Sequence, residues 1–413
     1  MPRAVAGAHR WAFRAAPKVS TLSHRTLPAG DTLARLRDCA TLVPITRVSD
    51  LTPLDRLRLP VFSATTPLAR DLTTHLGKGL DAQSAQVSAM MEAVERVSAE
   101  QVEQPLMRLP FSRLKKQVAC AIDPRDFDLP DDSHYAENRT ISWIEGWDLS
   151  NDLPVWVPLD VAISPPRDGV LLDVDTNGLA AGNTMLEAVV HGVCEVIERD
   201  ALSILLFRSM FGPADDLPDT RPIVPDSLPE EGRAWLRHIA NQNLSIATEL
   251  LGSDIGVPVF RSVLIDYAYP SRSRDPMRRF VGFGAGPNAA AAAVRSITEA
   301  VQSRIAIVQG ARDSFNTVSP PWRRSAGRWN RRDHEARTQL SLAAISSFVS
   351  NDLRDDLSFL VERLRDAGFH RVIAIDLSRS DLGFAVVRIR VPGLAAFAVN
   401  RTRPGWRCLR YLL

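Results

Sequence analysis

Three segments of this sequence carry carboxylates at spacings that a helix would turn into a row. Residues 88–96 read Ser-Ala-Met-Met-Glu-Ala-Val-Glu-Arg, residues 191–199 read His-Gly-Val-Cys-Glu-Val-Ile-Glu-Arg, and residues 295–303 read Arg-Ser-Ile-Thr-Glu-Ala-Val-Gln-Ser. At about 100° per residue, positions three and four apart share a helix face. Ser88, Glu92 and Glu95 then form one polar stripe, Glu187, His191, Glu195 and Glu198 a second, and Arg295, Glu299 and Gln302 a third. Val87, Met90, Met91 and Val94, with their counterparts in the other two segments, fill the adjoining arc. Each carboxylate row thus borders a core-facing surface, where it is partly desolvated.

A single Glu-x-x-Glu-Arg helix is ordinarily a solvated ion-pair surface, worth about 0.3–0.5 kcal/mol per pair. Three of them beside apolar faces ask for more, because Glu92, Glu95, Glu195, Glu198 and Glu299 packed together repel unless cations hold them. Mg²⁺ takes carboxylate oxygens in near-octahedral geometry and bridges them to phosphates. Arg96, Arg199 and Arg295 offer planar forks that fit phosphate oxygens. The residues alone therefore predict a Mg²⁺–nucleotide site built from helices. Competing local readings stay open at the head of the second helix: Thr184 and Glu187 have capping-box spacing, and Asn183 could cap the same helix. His191 faces the site on helical geometry, either as a base or as a structural histidine. No G-x-x-x-x-G-K-[ST] occurs, and Gly77-Lys-Gly79 and Gly282-Phe-Gly-Ala-Gly286 read equally well as glycine-rich turns before helices. No G-x-S-x-G elbow supports a serine hydrolase.

The elements that must position these residues follow from periodicity. Helices are expected near 82–104, 184–209, 288–310 and 353–367, the last ending at Gly368. Thr140–Trp147, a polar turn at Asn151-Asp152 and Val155–Val157 read as a hairpin, and further strands are expected at 257–265, 370–375 and 384–391. Helices and sheets interleave, which predicts a mixed α/β (α+β) body. The proline-rich stretch 212–230 reads as a surface loop or lid, and the basic, aromatic stretch 319–332 as a solvated loop or a nucleic-acid or peptide contact. Residues 1–40 form an N-terminal arm, basic until Asp31, that is expected to dock on the body or on an anionic ligand; residues 41–413 form the catalytic domain.

Composition sets the outer limits. The chain has 413 residues, 50 basic against 48 acidic, and 45% hydrophobic residues, which excludes a disordered tail, a coiled coil and a dedicated basic nucleic-acid binder. Arginine supplies all but four of the basic residues; the lysines are Lys18, Lys78, Lys115 and Lys116. Cys39, Cys120, Cys194 and Cys408 form no zinc-like cluster or C-x-x-C pair. No apolar run is long enough for a membrane span, and the cytoplasm is the expected compartment.

At these residues the chain resembles the YcaO family of ATP-dependent enzymes that modify peptide backbones. The blocks that carry the likeness are Gly77-Lys-Gly-Leu80 with Ser88-x₃-Glu92-x₂-Glu95-Arg96, then Glu145-Gly146, Asn177-Gly-Leu-Ala-Ala-Gly-Asn183 leading into Glu195-x₂-Glu198-Arg199-Asp200, and Arg295-x₃-Glu299 with Gln302-Ser-Arg304. The resemblance implies a non-P-loop ATP-binding fold with antiparallel sheets and long amphipathic helices, and ATP and Mg²⁺ as cofactors. Glu92, Glu95, Glu195, Glu198 and Glu299 match metal-ligand positions. Ser88, Asn183, Glu187, Arg199 and Arg295 match nucleotide contacts, with Glu195, Glu198 and Arg199 at the catalytic centre. Arg25 and Thr32 match the spacing of a phosphate-contacting Lys and Ser, although the residue types differ, and a family serine near the nucleotide stands here as Ala180.

Within the family, azoline-forming members end in a proline-rich tail. This chain ends Arg401-Thr-Arg-Pro-Gly-Trp-Arg-Cys-Leu-Arg-Tyr-Leu-Leu413. Its segments His24–Pro28, Pro44–Val48 with Leu54-Asp55, and Arg304–Asp313 are similar to the branch that works with a TfuA-like partner and is associated with backbone thioamides. The resemblance thus implies that a precursor-peptide amide is phosphorylated on oxygen and then attacked by sulfur that a TfuA-like or other partner delivers. An azoline-forming cyclodehydratase and a non-catalytic ATP- and leader-peptide-binding scaffold remain as alternatives. A homodimer stays open; no nucleic acid or membrane partner is expected.

Overall fold

The computed structural model describes residues 11–212, 220–268, 279–310 and 337–412. After an extended N-terminal segment comes α1 (Ala29–Cys39), then an antiparallel sheet of β1 (Arg47–Asp50), β2 (Val61–Thr65) and β3 (Thr74–Lys78), then α2 (Ala82–Ser98) packed on β2 and β3. Strands β4 (Met107–Pro110), β5 (Thr140–Asp148), β6 (Leu153–Pro158) and β7 (Leu179–Gly182) follow, with a short helix α3 (Phe111–Leu114) between β4 and β5. Helix α4 (Met185–Phe211) leads to β8 (Thr220–Pro222), α5 (Glu230–Asn241), β9 (Ser245–Leu251), β10 (Val259–Ile265), β11 (Arg279–Ala285) and α6 (Ala289–Gln309). The chain closes with α7 (Leu353–Asp366), β12 (Ile373–Asp376), β13 (Ala385–Arg390) and the small helix α8 (Gly405–Leu409). Strands β8 to β11 form a second sheet, and β12 and β13 return to complete a six-stranded one in the order β4-β5-β12-β13-β7, with β6 on β5. Every ladder is antiparallel, as expected.

The six-stranded sheet is sandwiched between helices. Ile373 and Ile375 face the core shared with α1 and α2, whereas Ala374 between them faces the core of α4 and α7. That alternation is the strand period of two, with both faces buried. A third core joins α6 to the two smaller sheets.

The helix expectations hold to within a few residues, and the ends have local causes. Thr184 caps α4 by accepting from the Glu187 backbone N–H, Asn288 caps α6, and Gly310 closes α6 in the left-handed region at φ 64°. The first helix stops at Ser98 rather than continuing to 104. The buried Glu100 carboxylate accepts from the Arg70 backbone instead, and Pro105 prevents resumption. Part of the proline-rich stretch read as a lid is regular: Thr220–Pro222 is a strand and Glu230 opens α5, while 213–219, like the basic stretch at 319–332, lies outside the described residues.

The glycine-rich segments are turns before helices only at their last glycines, Gly79 and Gly286, which follow β3 and β11. Gly77 lies inside β3, and Gly282 and Gly284 lie inside β11. A Cβ on Gly77 would meet the Ala89 backbone nitrogen at 1.9 Å, and one on Gly284 the Ala292 carbonyl oxygen at 2.2 Å. Bare backbone lets each strand lie directly against the helix that follows it. Substituting Gly77→Ala should therefore cost about 3 kcal/mol or more and lower the thermal unfolding midpoint by many degrees; an unchanged midpoint would remove this close approach as a structural constraint.

Candidate nucleotide and metal cleft

The N-terminal arm is clamped before it reaches the site. The Lys18 ammonium pairs with the Asp356 carboxylate of α7 at 2.8 Å with both side chains buried, and the Ala16 backbone N–H donates to Asp352. Further along, the Thr26 backbone N–H donates to the Glu187 carboxylate at 2.6 Å, and the Arg25 guanidinium lies 3.7 Å from its other oxygen. Glu187 also accepts from the Asn183 backbone at 2.8 Å, and the Asn183 side-chain amide donates to the Thr32 hydroxyl at 3.0 Å. Arg35, which the sequence reading passed over, donates to the Asn183 carbonyl oxygen at 2.9 Å. One fully buried carboxylate at the head of α4 thus fastens the arm to the body.

The clamped arm, α2, α4 and α6 enclose a cleft of about 780 Å³. Arg25, Thr32, Ser88, Glu92, Glu95, Asn183, Glu195, Glu198, Arg199, Arg295 and Glu299 all line it. Of the residues matched to the family's site, Glu187 is the one that does not: it stands behind the wall, holding Arg25 and Asn183 forward, and Thr184 forms the cap that the spacing allowed. Ala180 is fully buried and lies off the cleft.

Two of the carboxylates are fixed by the same device. The Leu76 N–H of β3 donates to Glu92 at 3.0 Å, and the Phe283 N–H of β11 donates to Glu299 at 3.3 Å, with the same separation of 16 residues in both cases. Gly77 and Gly284 follow these donors directly, so β3–α2 and β11–α6 are two copies of one strand–helix unit. The Gln302 side chain of one copy donates to the Leu76 carbonyl of the other at 2.9 Å, which ties the two together across the cleft.

The electrostatics follow from crowding of like charge away from water. Burial, and then the neighbouring Glu195, push the Glu95 carboxyl well above the usual carboxylate range. Burial raises Glu195, and burial with the charge of Glu299 raises Glu198 to about 7. Glu299 goes the other way: burial opposes its charge, but Lys78 at 2.7 Å and Arg295 outweigh it and hold the carboxyl down. Arg199 lies 3.7 Å from Glu195, and Arg96 lies 3.9 Å from Glu92 and 2.8 Å from Asp71. Among the described residues no three His, Cys, Asp or Glu side chains converge closely enough to form an ion cage. Basic side chains and backbone N–H groups accompany the carboxylates instead. His191 is driven well below its ordinary value by burial and by Arg295. The guanidinium is 3.3 Å from Nδ1 and can only donate, so the imidazole is neutral with its proton on Nε2. That favours the positioning role for His191 over a general base.

Lys78 and Arg279 are cleft residues to which sequence reasoning assigned no role. A signal existed: two of the four lysines in this arginine-rich chain, Lys18 and Lys78, make ion pairs that join distant segments.

The donor set fits a nucleotide with hard cations. Five carboxylates stand at mid-cleft among Arg25, Lys78, Arg96, Arg199, Arg279 and Arg295, and the buried Arg96 Nε has no hydrogen-bond partner among the described residues. A family model described as YcaO cyclodehydratase, ATP- and Mg²⁺-binding, matches residues 76–395. The chain belongs to the YcaO family. Among relatives of similar sequence, an uncharacterised protein of Methanothermobacter thermautotrophicus is 33% identical over 91% of this chain and 96% of its own length. An uncharacterised protein in the tfuA 3′ region of Rhizobium leguminosarum bv. trifolii is 30% identical over 92% of this chain and 91% of its own. The solved structure of YcaO from Methanopyrus kandleri, bound with AMPPCP and Mg²⁺, superposes with a TM-score of 0.74 at 26% identity, covering 94% of this chain and 98% of that one. No helix among the described residues is long and apolar enough to cross a membrane.

The raised carboxyls make metal-free stability depend on pH. The protonated form of Glu198 is favoured in the fold, so its burial penalty is absent below the ordinary carboxylate range and grows as pH rises through about 7. Glu95 and Glu195 act in the same direction. Thermal melts in EDTA should accordingly show a lower midpoint at pH 8 than at pH 5, with Mg²⁺ restoring more stability at pH 8 than at pH 5.

Proposed function

We propose that this YcaO protein activates a backbone amide of a precursor peptide by ATP-dependent phosphorylation of the amide oxygen, and that the product is a thioamide. The observation that carries the reading is the single cleft in which carboxylates from α2, α4 and α6 meet the arginines of the arm, α4 and α6. Glu92, Glu95, Glu195, Glu198 and Glu299 are the residues to hold Mg²⁺, which supplies charge neutralisation at the phosphates. Arg25, Thr32, Ser88, Asn183, Arg199 and Arg295 are the residues to hold the nucleotide, and Glu187 keeps Arg25 and Asn183 in place. Residues 1–40 thereby contribute to the nucleotide site of the catalytic domain, residues 41–413.

An amide is a poor electrophile because its oxygen is a poor leaving group. In the proposed reaction that oxygen attacks the γ-phosphorus and ADP departs. A sulfur nucleophile then adds to the activated carbon, and phosphate carries the oxygen away. The protein's share is positioning and charge compensation in a partly dehydrated cleft. Burial raises the thiols of Cys39, Cys194 and Cys408 above their ordinary value, which suits inert core residues and leaves sulfur delivery to a partner. The relative beside tfuA supports a TfuA-like partner. The cytoplasm is where such a partner and a newly made peptide would meet the enzyme.

The second reading is cyclodehydration, favoured by the family's own description. Mass spectrometry of a co-expressed peptide separates the two: replacement of oxygen by sulfur adds about 16 Da, and cyclodehydration removes about 18 Da. Glu195→Gln and Glu299→Gln should each lower peptide modification at least a hundredfold while leaving the protein folded; full turnover in either variant would remove these residues from the metal set.

A further inference from the structure

Glu299 has an ion-pair partner from the other copy of the strand–helix unit. Lys78 is the last residue of β3, and its ammonium reaches across the cleft to Glu299 on α6 at 2.7 Å. The same carboxylate takes the Phe283 N–H on its second oxygen, so both oxygens are occupied by protein donors. Lys78 and Glu299 both line the cleft and are only partly exposed, at 15% and 25% of their side-chain surface. That contact is shorter than the 3.7 Å between Arg199 and Glu195 and the 3.9 Å between Arg96 and Glu92.

We propose that Lys78 stands in for a divalent cation at Glu299 while the cleft holds none, and turns to a phosphate oxygen of the nucleotide once Mg²⁺ takes that carboxylate. The inference rests on the ATP–Mg²⁺ reading of the cleft. Its physical basis is competition between like charges: an ammonium held 2.7 Å from one Glu299 oxygen repels a dication arriving at the same carboxylate, so each weakens the other's hold on it. The displaced ammonium has a four-carbon stem rooted on a strand fixed by Gly77, so it stays within the cleft. There a triphosphate offers it the oxygens of a polyanion. Lys78 thus holds the Glu299 side chain in place across the cleft before loading, and it adds to phosphate affinity afterwards.

The test uses the full chain and two probes, MgCl₂ alone and Mg²⁺ with AMPPCP, measured by calorimetry. Lys78→Met removes the competing charge and keeps most of the stem. It should bind Mg²⁺ alone about tenfold more tightly and Mg²⁺·AMPPCP about tenfold more weakly than the wild type, each a shift of about 1.4 kcal/mol. General damage to the fold would weaken both, so the opposite signs are the signature. Unchanged or weaker binding of Mg²⁺ alone overturns the stand-in role, and unchanged binding of Mg²⁺·AMPPCP overturns the phosphate contact. A wild-type protein that binds neither probe overturns the nucleotide reading itself, and this inference with it. The wild type also supplies a test that needs no variant. With four lysines in the chain, amine labelling and peptide mapping should show Lys78 reactivity rising severalfold on adding Mg²⁺ and falling again on adding AMPPCP; reactivity unmoved by Mg²⁺ excludes the exchange.

Discussion

Five carboxylates share one half-buried cleft, and the rest of the molecule is arranged around the need to neutralise them. At an effective dielectric of about 20, two such charges 4 Å apart repel by roughly 4 kcal/mol. Burial raises the cost of ionising Glu95, Glu195 and Glu198. The protein answers with fixed cations: Arg199 beside Glu195, Arg96 beside Glu92 and Lys78 on Glu299. A site poised in this way has much to gain from a hard cation and a polyanion arriving together, because each satisfies groups that the protein leaves only partly compensated.

Holding such a cluster requires a frame stiffer than its own repulsion. The frame is a strand–helix unit used twice, β3 with α2 and β11 with α6, in which a glycine removes the side chain between strand and helix and the preceding N–H anchors the helix carboxylate. The third helix, α4, packs instead on the six-stranded sheet, and its first carboxylate, Glu187, is committed to the arm. The arm is held at its other end by the buried Lys18–Asp356 pair, a contact whose loss would leave an uncompensated charge inside the protein. The arm's wall of the cleft is thus held by contacts to both α4 and α7.

The helices were legible because a polar stripe beside an apolar arc repeats along each of them, and caps such as Asn288 and Thr184 mark their starts. The hairpin of β5 and β6 was legible from alternation and its turn. Strands β1 to β4, β7 to β9 and β11 were not: several are only three to five residues long, too short to establish a period. In β3 and β11 glycine, ordinarily a turn residue, serves the approach of a helix instead. The over-long first helix failed for a related reason, since the contact that pulls Glu100 away comes from Arg70, far outside any local window.

The sequence by itself determined the three carboxylate stripes, the arginines beside them and the family to which they belong, because helical periodicity depends only on spacing within a segment. Tertiary structure decided which groups meet. Lys78 and Glu299 are separated by 221 positions, Thr26 and Glu187 by 161, and Leu76 and Gln302 by 226. Whether a carboxylate faces the cleft, as Glu195 does, or stands behind its wall, as Glu187 does, depends on what packs against the helix. Charge compensation falls off with distance in space and takes no account of distance along the chain, so the partner that neutralises Glu299 could be found only once the strand carrying it had been placed.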